Sequence, residues 1–124
     1  MELKFDNSSP IFVQIVEQML ALIASGKLAP GQKIEPVRIL AAQYKVNPNT
    51  MQKSLERLGD MGYLFTERTS GRFVTKDPEK INELRQKVPQ DITTRYIKEM
   101  LDHGIKPDEI TDYVQKNLKD RSND

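Results

Sequence analysis

The 124-residue sequence is 37% hydrophobic and 30% charged, a balance typical of a small globular protein and not of a disordered chain. It has no cysteine, which excludes disulfide frameworks and thiolate metal sites, and its single histidine, His103, argues against a His-rich metal site or a Ser-His-Asp triad. No apolar run approaches the roughly 20 residues of a membrane helix, and the first ten residues lack the apolar core of a secretory signal. We therefore expect a cytoplasmic protein.

Charge is distributed unevenly along the chain. Residues 26–76 contain nine basic and four acidic residues, a net charge of +5, whereas residues 1–25 and 77–124 each carry −2. A basic middle segment is expected where one part of a chain meets a polyanion such as DNA. A solvated charged face is an equally good explanation of this pattern taken alone.

The first predicted helix follows Ser9, a good N-cap, and has Pro10 at its first position. Its apolar residues recur at the spacing of an amphipathic helix, which indicates core packing. Gly26 is expected to end it, and a turn follows at Pro30 and Gly31.

A helix-turn-helix is predicted next. A short helix runs from Pro36 to about Gln43, and a second begins at Pro48, capped by Asn47, and ends before Gly62. Two helices joined by a turn of about four residues are typical of this motif. Two strand-like segments, 63–66 and 72–75, follow on either side of a polar turn, so the whole resembles a winged helix.

The second helix of this motif has two different faces. Met51, Leu55 and Leu58 share one side and are expected in the core, whereas Asn49 and Lys53 lie opposite. Asn and Gln can bond the adenine edge, Thr can contact the thymine methyl group, and Lys can reach guanine or phosphate. The alternative is a merely solvated face, but together with the wing the pattern favours DNA reading.

Several motifs resemble the winged-helix domain of GntR-type bacterial transcription regulators. They include Pro10–Ile15, Gly26–Gly31, Val37–Ala41, Val46–Met51, Leu58–Tyr63 and Gly71–Val74, in the family's order over Pro10–Val74. Several spaced blocks are more specific than one short motif. The turn Val46–Thr50 and the short C-terminal segment resemble the YtrA-like branch.

The resemblance implies a dimeric, repressor-type regulator that binds a duplex operator, with the recognition helix in the major groove and the wing toward the minor groove. The candidate DNA-binding residues are Arg38, Asn47, Asn49, Thr50, Gln52, Lys53, Arg68, Ser70, Gly71 and Arg72. Several positions depart from the family pattern. Ile34-Glu35-Pro36 stands where Leu-Pro-Ser is usual, so the Ser cap is lost and Glu35 is a candidate cap instead. Thr69 replaces a wing glycine, and Pro48 and Gln52 stand where many relatives carry Arg.

Residues 77–124 are predicted to be a helical dimerisation segment, following a DNA-binding domain at residues 1–76. Pro89 is expected to kink or restart the first of its helices, a second apolar stripe ends at His103 and Gly104, and a last helix begins at Pro107. So short a segment struggles to build its own core, and its apolar stripe needs a partner surface. Packing on the winged helix of the same chain is one alternative, but pairing with a second copy is favoured because a two-fold operator calls for a two-fold protein. The candidate dimerisation residues are Ile92, Tyr96, Ile97, Met100, Leu101, Ile110, Val114 and Leu118.

The predicted fold class is therefore mostly α with a small β-hairpin, a winged helix-turn-helix followed by a C-terminal helical segment. Neither a phosphate-binding glycine loop nor a general acid–base pair is indicated, so we expect neither an enzyme nor a cofactor or metal. The predicted function is sequence-specific DNA binding as a homodimer that regulates transcription. The alternative is a winged-helix module that binds another protein. Whether a small-molecule effector exists is left open.

Overall fold

The computed structural model describes residues 1–122, which form five α-helices and one three-stranded antiparallel sheet. The strand order is β1-β3-β2. The predicted fold class, a winged helix with a C-terminal helical segment, is confirmed. In chain order the elements are α1 (Ile11–Ser25), β1 (Lys33–Ile34), α2 (Val37–Tyr44), α3 (Pro48–Asp60), β2 (Leu64–Glu67), β3 (Gly71–Val74), α4 (Pro78–Asp102) and α5 (Pro107–Ser122).

The chain divides into two compact units, Met1–Gln86 and Lys87–Asp124. We call them the N-terminal unit and the C-terminal unit. The N-terminal unit extends ten residues past position 76, because Ile81 and Leu84 in the first turns of α4 are buried in it. These two side chains therefore belong to the core of the winged helix, although the helix that carries them continues into the C-terminal unit.

Helix α1 is the predicted amphipathic helix, but its start differs from the prediction. Pro10 and not Ser9 is the N-cap, and no side-chain hydrogen bond caps this end. The Gln14 side chain, one turn into the helix, instead donates to the backbone oxygens of Asp6 and Ser9. A long side chain inside the helix thus holds the preceding segment. At the other end Gly26 has φ 81°, the left-handed conformation expected of a helix-ending glycine.

Helices α2 and α3 form the predicted helix-turn-helix. The Asn47 Oδ1 atom accepts a hydrogen bond from the Asn49 backbone N–H at 2.8 Å, and Pro48 begins α3, as predicted. Pro36 precedes α2 without a side-chain cap bond, so the prediction that Glu35 caps this helix is wrong. Lys45 ends α2 at φ 55°. Within residues 1–122 it is the only residue other than glycine that has a positive φ.

The sheet forms the wing. Strands β2 and β3 pair with Phe65 opposite Phe73, and these rings stack with centroids 5.5 Å apart. The Ser70 N–H donates to the Glu67 oxygen across the turn at 3.2 Å. Both strands fall within one residue of their predicted limits. The two-residue strand β1, with Lys33 opposite Phe73, was not predicted, because so short a segment carries no periodicity.

The C-terminal unit contains the rest of α4 and all of α5. Helix α4 runs through Pro89 without restarting, so the predicted alternative of a new helix is wrong. The Thr93 hydroxyl donates to the Pro89 oxygen at 2.7 Å, one turn along. Gly104, at φ 82°, follows the end of α4, and Pro107 begins α5, both as predicted. Among residues 1–122, none of the helices combines the length and apolar character needed to cross a membrane.

Candidate nucleic-acid interface

Helix α3 separates a buried face from an exposed polar face, as its sequence predicts. Met51, Leu55 and Leu58 are completely buried. Asn49 and Lys53 are exposed at the start of the helix, with Thr50 and Gln52 half-buried beside them. A polar helix end anchored by three core side chains has the rigidity and the hydrogen-bonding groups that base-edge recognition requires.

Asn47 has a structural task at the entrance to this helix. Its side-chain oxygen is occupied by the Asn49 N–H, so the amide group of Asn47 is held at the first turn. Such caps contribute about 1 kcal/mol to helix stability. Asn47 therefore orients the segment that carries Asn49 and Thr50.

Gln52 is oriented by a neighbour on the same helix. Its Nε2 atom donates a 2.7 Å hydrogen bond to Oε1 of Glu56, one turn further along α3. Glu56 is exposed, and its contact with Gln52 was not predicted. The i, i+4 spacing of two polar residues was the available signal, and it is too common to be specific.

The wing turn holds the next group of candidate residues. Arg68, Ser70 and Gly71 are exposed, and Arg72 is half-buried on β3. Gly71 has φ 110°, and a Cβ atom built there would lie 3.3 Å from Cε of Lys33, so both backbone conformation and space favour glycine. Thr69, at the position of the family's usual glycine, does not have positive φ, and this turn therefore accommodates it.

Lys33 is a candidate that the sequence-based prediction missed. It lies on β1, and its side chain extends to Gly71 at the base of the wing turn. Lys76, just after β3, places its Nζ atom 5.9 Å from the centre of the Phe65 ring. Lys33 and Lys76 thus add two cations to the wing sheet. Their sequence separation of more than forty residues explains why no local pattern links them.

Arg38 lies apart from the wing in the sequence, on the helix that precedes α3. It is exposed on α2, as a backbone-contacting arginine must be. Together the exposed Arg38, the α3 face and the wing belong to the segment of net charge +5. This arrangement can neutralise phosphates while presenting amide and hydroxyl groups to bases.

The candidate dimerisation residues of the C-terminal unit are mostly uncovered. Ile110 is buried within its own chain, and Tyr96 and Met100 are half-buried. The exposed members are Ile92, Ile97, Leu101, Val114 and Leu118. An open apolar groove of about 640 Å³ runs between α4 and α5, lined by Tyr96, Met100, Ile105, Tyr113, Val114, Asn117 and Leu118. An apolar surface of this kind is typical of a site that another chain or ligand covers.

A winged helix-turn-helix that exposes a polar recognition helix beside a basic hairpin defines the class of DNA-binding transcription regulators. The family model for bacterial regulatory proteins of the gntR family matches residues 12–74. The chain therefore belongs to the GntR family, and this confirms the resemblance seen in its sequence.

Two curated relatives from Bacillus subtilis extend this match. The chain is 31% identical over 115 residues to the HTH-type transcriptional regulator YhcF, covering 93% of this chain and 95% of that protein. It is 37% identical over 71 residues to the HTH-type transcriptional repressor YtrA, covering 57% of this chain and 55% of that protein. The chain thus spans about half the length of YtrA. Its relatives are transcriptional regulators and not enzymes.

Two solved structures support the same conclusion. A GntR family transcriptional regulator from Listeria monocytogenes superposes with a TM-score of 0.82 at 34% identity, covering 90% of this chain and 98% of that chain. The DNA-binding domain of AraR, solved in complex with its operator ORX1, superposes with a TM-score of 0.53 at 29% identity over 60% of this chain and 96% of that chain. The protein is a helix-turn-helix DNA-binding regulator of this family.

Proposed function

We propose that this protein is a transcriptional repressor that binds a two-fold operator as a homodimer. The recognition helix α3 enters the major groove and the wing approaches the minor groove. The observation that carries the proposal is the exposed polar face of α3, on which Asn49 and Lys53 stand opposite a completely buried apolar face, with the half-buried Gln52 on its flank. A merely solvated helix has no need of this combination of amide groups and a cation beside a basic wing.

The proposed contacts fall into two kinds. Asn49, Thr50 and Gln52 carry hydrogen-bonding groups suited to base edges, and they supply sequence specificity. Cations hold the phosphate backbone and supply affinity that falls with salt. The proposed phosphate- or groove-contacting cations are Arg38, Lys53, Arg68 and Arg72, with Lys33 added from β1. Ser70 and Gly71 allow the wing backbone to approach the duplex closely.

The C-terminal unit supports the dimer. Within residues 1–122, six of the eight large apolar side chains that are exposed lie beyond residue 91, so this surface is unusual for the molecule. We infer that a second copy of the chain buries this surface, because a two-fold protein matches a two-fold operator. The proposed interface is formed by Ile92, Tyr96, Ile97, Met100, Leu101, Val114 and Leu118. Ile110, buried beneath, supports the packing of its own unit.

Repression is supported by the likeness to YtrA, which is named a repressor. A dimer bound across a promoter blocks access of polymerase by occupying the duplex. No step beyond binding is needed for this effect. The proposed location is the cytoplasm, where the operator DNA of a bacterium is found.

Lys53→Ala and Asn49→Ala test the assignment of α3. Lys53→Ala should weaken binding to all duplexes and reduce the slope of log affinity against log salt by about 1. Asn49→Ala should relax base choice at one position of each half-site by about 1–3 kcal/mol. Affinities are measured on duplexes enriched from random DNA, at several salt concentrations.

Lys116→Ala is the matched control. It removes the same charge from α5, on the side of that helix opposite Val114 and Leu118, and should leave the salt slope unchanged. If neither Lys53→Ala nor Asn49→Ala alters affinity or base preference, α3 does not read DNA. A protein partner for the winged helix would then explain its polar face better.

A further inference from the structure

Glu56 is an acidic residue on α3, the proposed DNA-facing helix. Its Oε1 atom accepts a 2.7 Å hydrogen bond from Nε2 of Gln52. Glu56 is exposed, and an unpaired carboxylate near phosphates weakens binding through charge repulsion. A carboxylate in the basic segment therefore lowers DNA affinity, and a second role of Glu56 would compensate for that loss. The contact with Gln52 supplies one, because Gln52 is half-buried beside the base-reading residues and its amide has two distinct ends.

A carboxylate fixes the orientation of an amide that it contacts. An ionised carboxylate only accepts hydrogen bonds, so the nitrogen end of the Gln52 amide must face Glu56. The carbonyl oxygen and the second N–H of Gln52 then stay available on the remaining edge. Adenine presents a donor at N6 and an acceptor at N7 in the major groove, and an amide meets both when its oxygen and nitrogen are correctly ordered.

We propose that Glu56 is a positioning residue that orients the Gln52 side chain for adenine and thereby determines base choice at one position of each half-site. The inference rests on the proposed function, in which α3 reads the major groove. Glu56 touches no base in this arrangement. It reduces affinity for every duplex by its charge and raises discrimination by fixing the amide, so its two effects have opposite signs.

Because affinity and discrimination should change in opposite directions, a positioning role of Glu56 can be distinguished from a general structural role. Glu56→Ala should increase affinity for non-specific duplexes several-fold, while its discrimination at the position read by Gln52 falls about five- to tenfold. Glu56→Gln removes the charge but leaves a side chain that can donate or accept. It should also increase non-specific affinity. Its discrimination should be intermediate, lower than in the parent chain and higher than in Glu56→Ala.

Asp60→Ala is the matched control for charge. Asp60 lies one turn beyond Glu56 on the same helix, about 12 Å along the axis from Gln52. Its substitution should raise affinity for all duplexes by a smaller factor and leave discrimination unchanged. Helix content measured by circular dichroism should stay the same in all three variants, since Glu56 and Asp60 are exposed.

The experiment begins with operators selected from random duplex DNA and their single-base variants. Gln52→Ala first identifies the base position that Gln52 reads. Glu56→Ala is then measured twice, once in the parent chain and once in the chain that already carries Gln52→Ala. We expect Glu56→Ala to reduce discrimination at that position in the parent chain and to leave it unchanged in the Gln52→Ala chain.

Two other results have separate meanings. If Gln52→Ala relaxes one position but Glu56→Ala retains full discrimination there, the positioning role is overturned and the proposed function stands. If Gln52→Ala relaxes no position, Gln52 reads no base, and the positioning role falls with it. Asn49→Ala and Lys53→Ala still test the recognition helix independently in that case.

Discussion

The two units of this protein use their apolar residues in opposite ways. In the N-terminal unit, Met51, Leu55 and Leu58 are completely buried and fix α3 to its core. In the C-terminal unit, Leu118 is 63% exposed and Ile92 is 52% exposed. A winged helix of this size closes its own core, whereas two helices do not, and their exposed stripe calls for a partner.

This contrast separates specificity from assembly. The winged helix carries the polar groups and cations that suit DNA, on a scaffold completed by its own side chains. The C-terminal unit carries exposed apolar groups, which the proposed dimer would bury. Substitutions in the first unit should therefore alter folding or base choice, and substitutions in the second should alter the monomer–dimer equilibrium.

The largest expected effect compares the same substitution in both units. Leu58→Ala should reduce the free energy of unfolding by about 2–5 kcal/mol, because it leaves a cavity in a packed core. Leu118→Ala removes a mostly exposed side chain and should change unfolding of the dilute chain by less than about 1 kcal/mol. Urea titration followed by circular dichroism measures both. Equal losses would mean that the C-terminal stripe is buried within its own chain.

Leu101→Asp tests the assembly half of the contrast. A two-fold interface carries each substitution twice, and burying two carboxylates should weaken the dimer by about 2–4 kcal/mol. Sedimentation equilibrium gives the dissociation constant. Lys116→Asp, outside the proposed interface, should leave that constant within about threefold. A Leu101→Asp chain that stays dimeric would place the interface elsewhere.

Lys45 tests the turn that orients the recognition helix. Its φ of 55° is costly for a β-branched side chain, so Lys45→Val should destabilise the N-terminal unit by about 1–2 kcal/mol. Lys45→Asn loses the same charge but tolerates this conformation, and its stability should stay close to that of the parent chain. Thermal unfolding compares the pair, and equal stabilities would show that the turn relaxes freely.

The smallest effect concerns the cap of α3. Asn47→Ala should cost about 1 kcal/mol of stability, because the Asn49 N–H loses its acceptor. Asn47→Asp keeps the acceptor and should retain that stability, while its added negative charge weakens DNA binding. Urea titration and duplex affinity together measure both effects. If the Asn47→Ala chain is as stable as the parent chain, the Asn47 side chain does not stabilise α3.

The sequence predicted the features that depend on local periodicity and end signals. The Asn47 cap, Pro48 at the start of α3 and the buried positions of Met51, Leu55 and Leu58 follow from helical spacing and capping chemistry. The hairpin followed from a polar turn between two apolar segments. These signals reside within a few residues of one another, so a single sequence is sufficient to read them.

The features that the sequence missed depend on contacts or on competing local choices. Strand β1 exists because β3 lies beside it, and two residues carry no pattern of their own. Ser9 has the chemistry of an N-cap, but its side chain does not cap α1. Instead the Gln14 side chain donates a hydrogen bond to the Ser9 backbone oxygen. Pro89 removes one helix donor, yet α4 continues through it from Pro78 to Asp102. The Gln52–Glu56 bond depends on side-chain conformation, which spacing alone does not specify.

The central claim is that two copies of this chain read a two-fold operator, and selection from random duplex DNA tests it most directly. We expect an inverted repeat with half-sites about one helical turn apart, bound by two chains, with affinity that falls steeply as salt increases. Enrichment of a single half-site bound by one chain would contradict the dimer. Absence of enrichment at low salt would contradict the DNA-reading role of α3 and the wing.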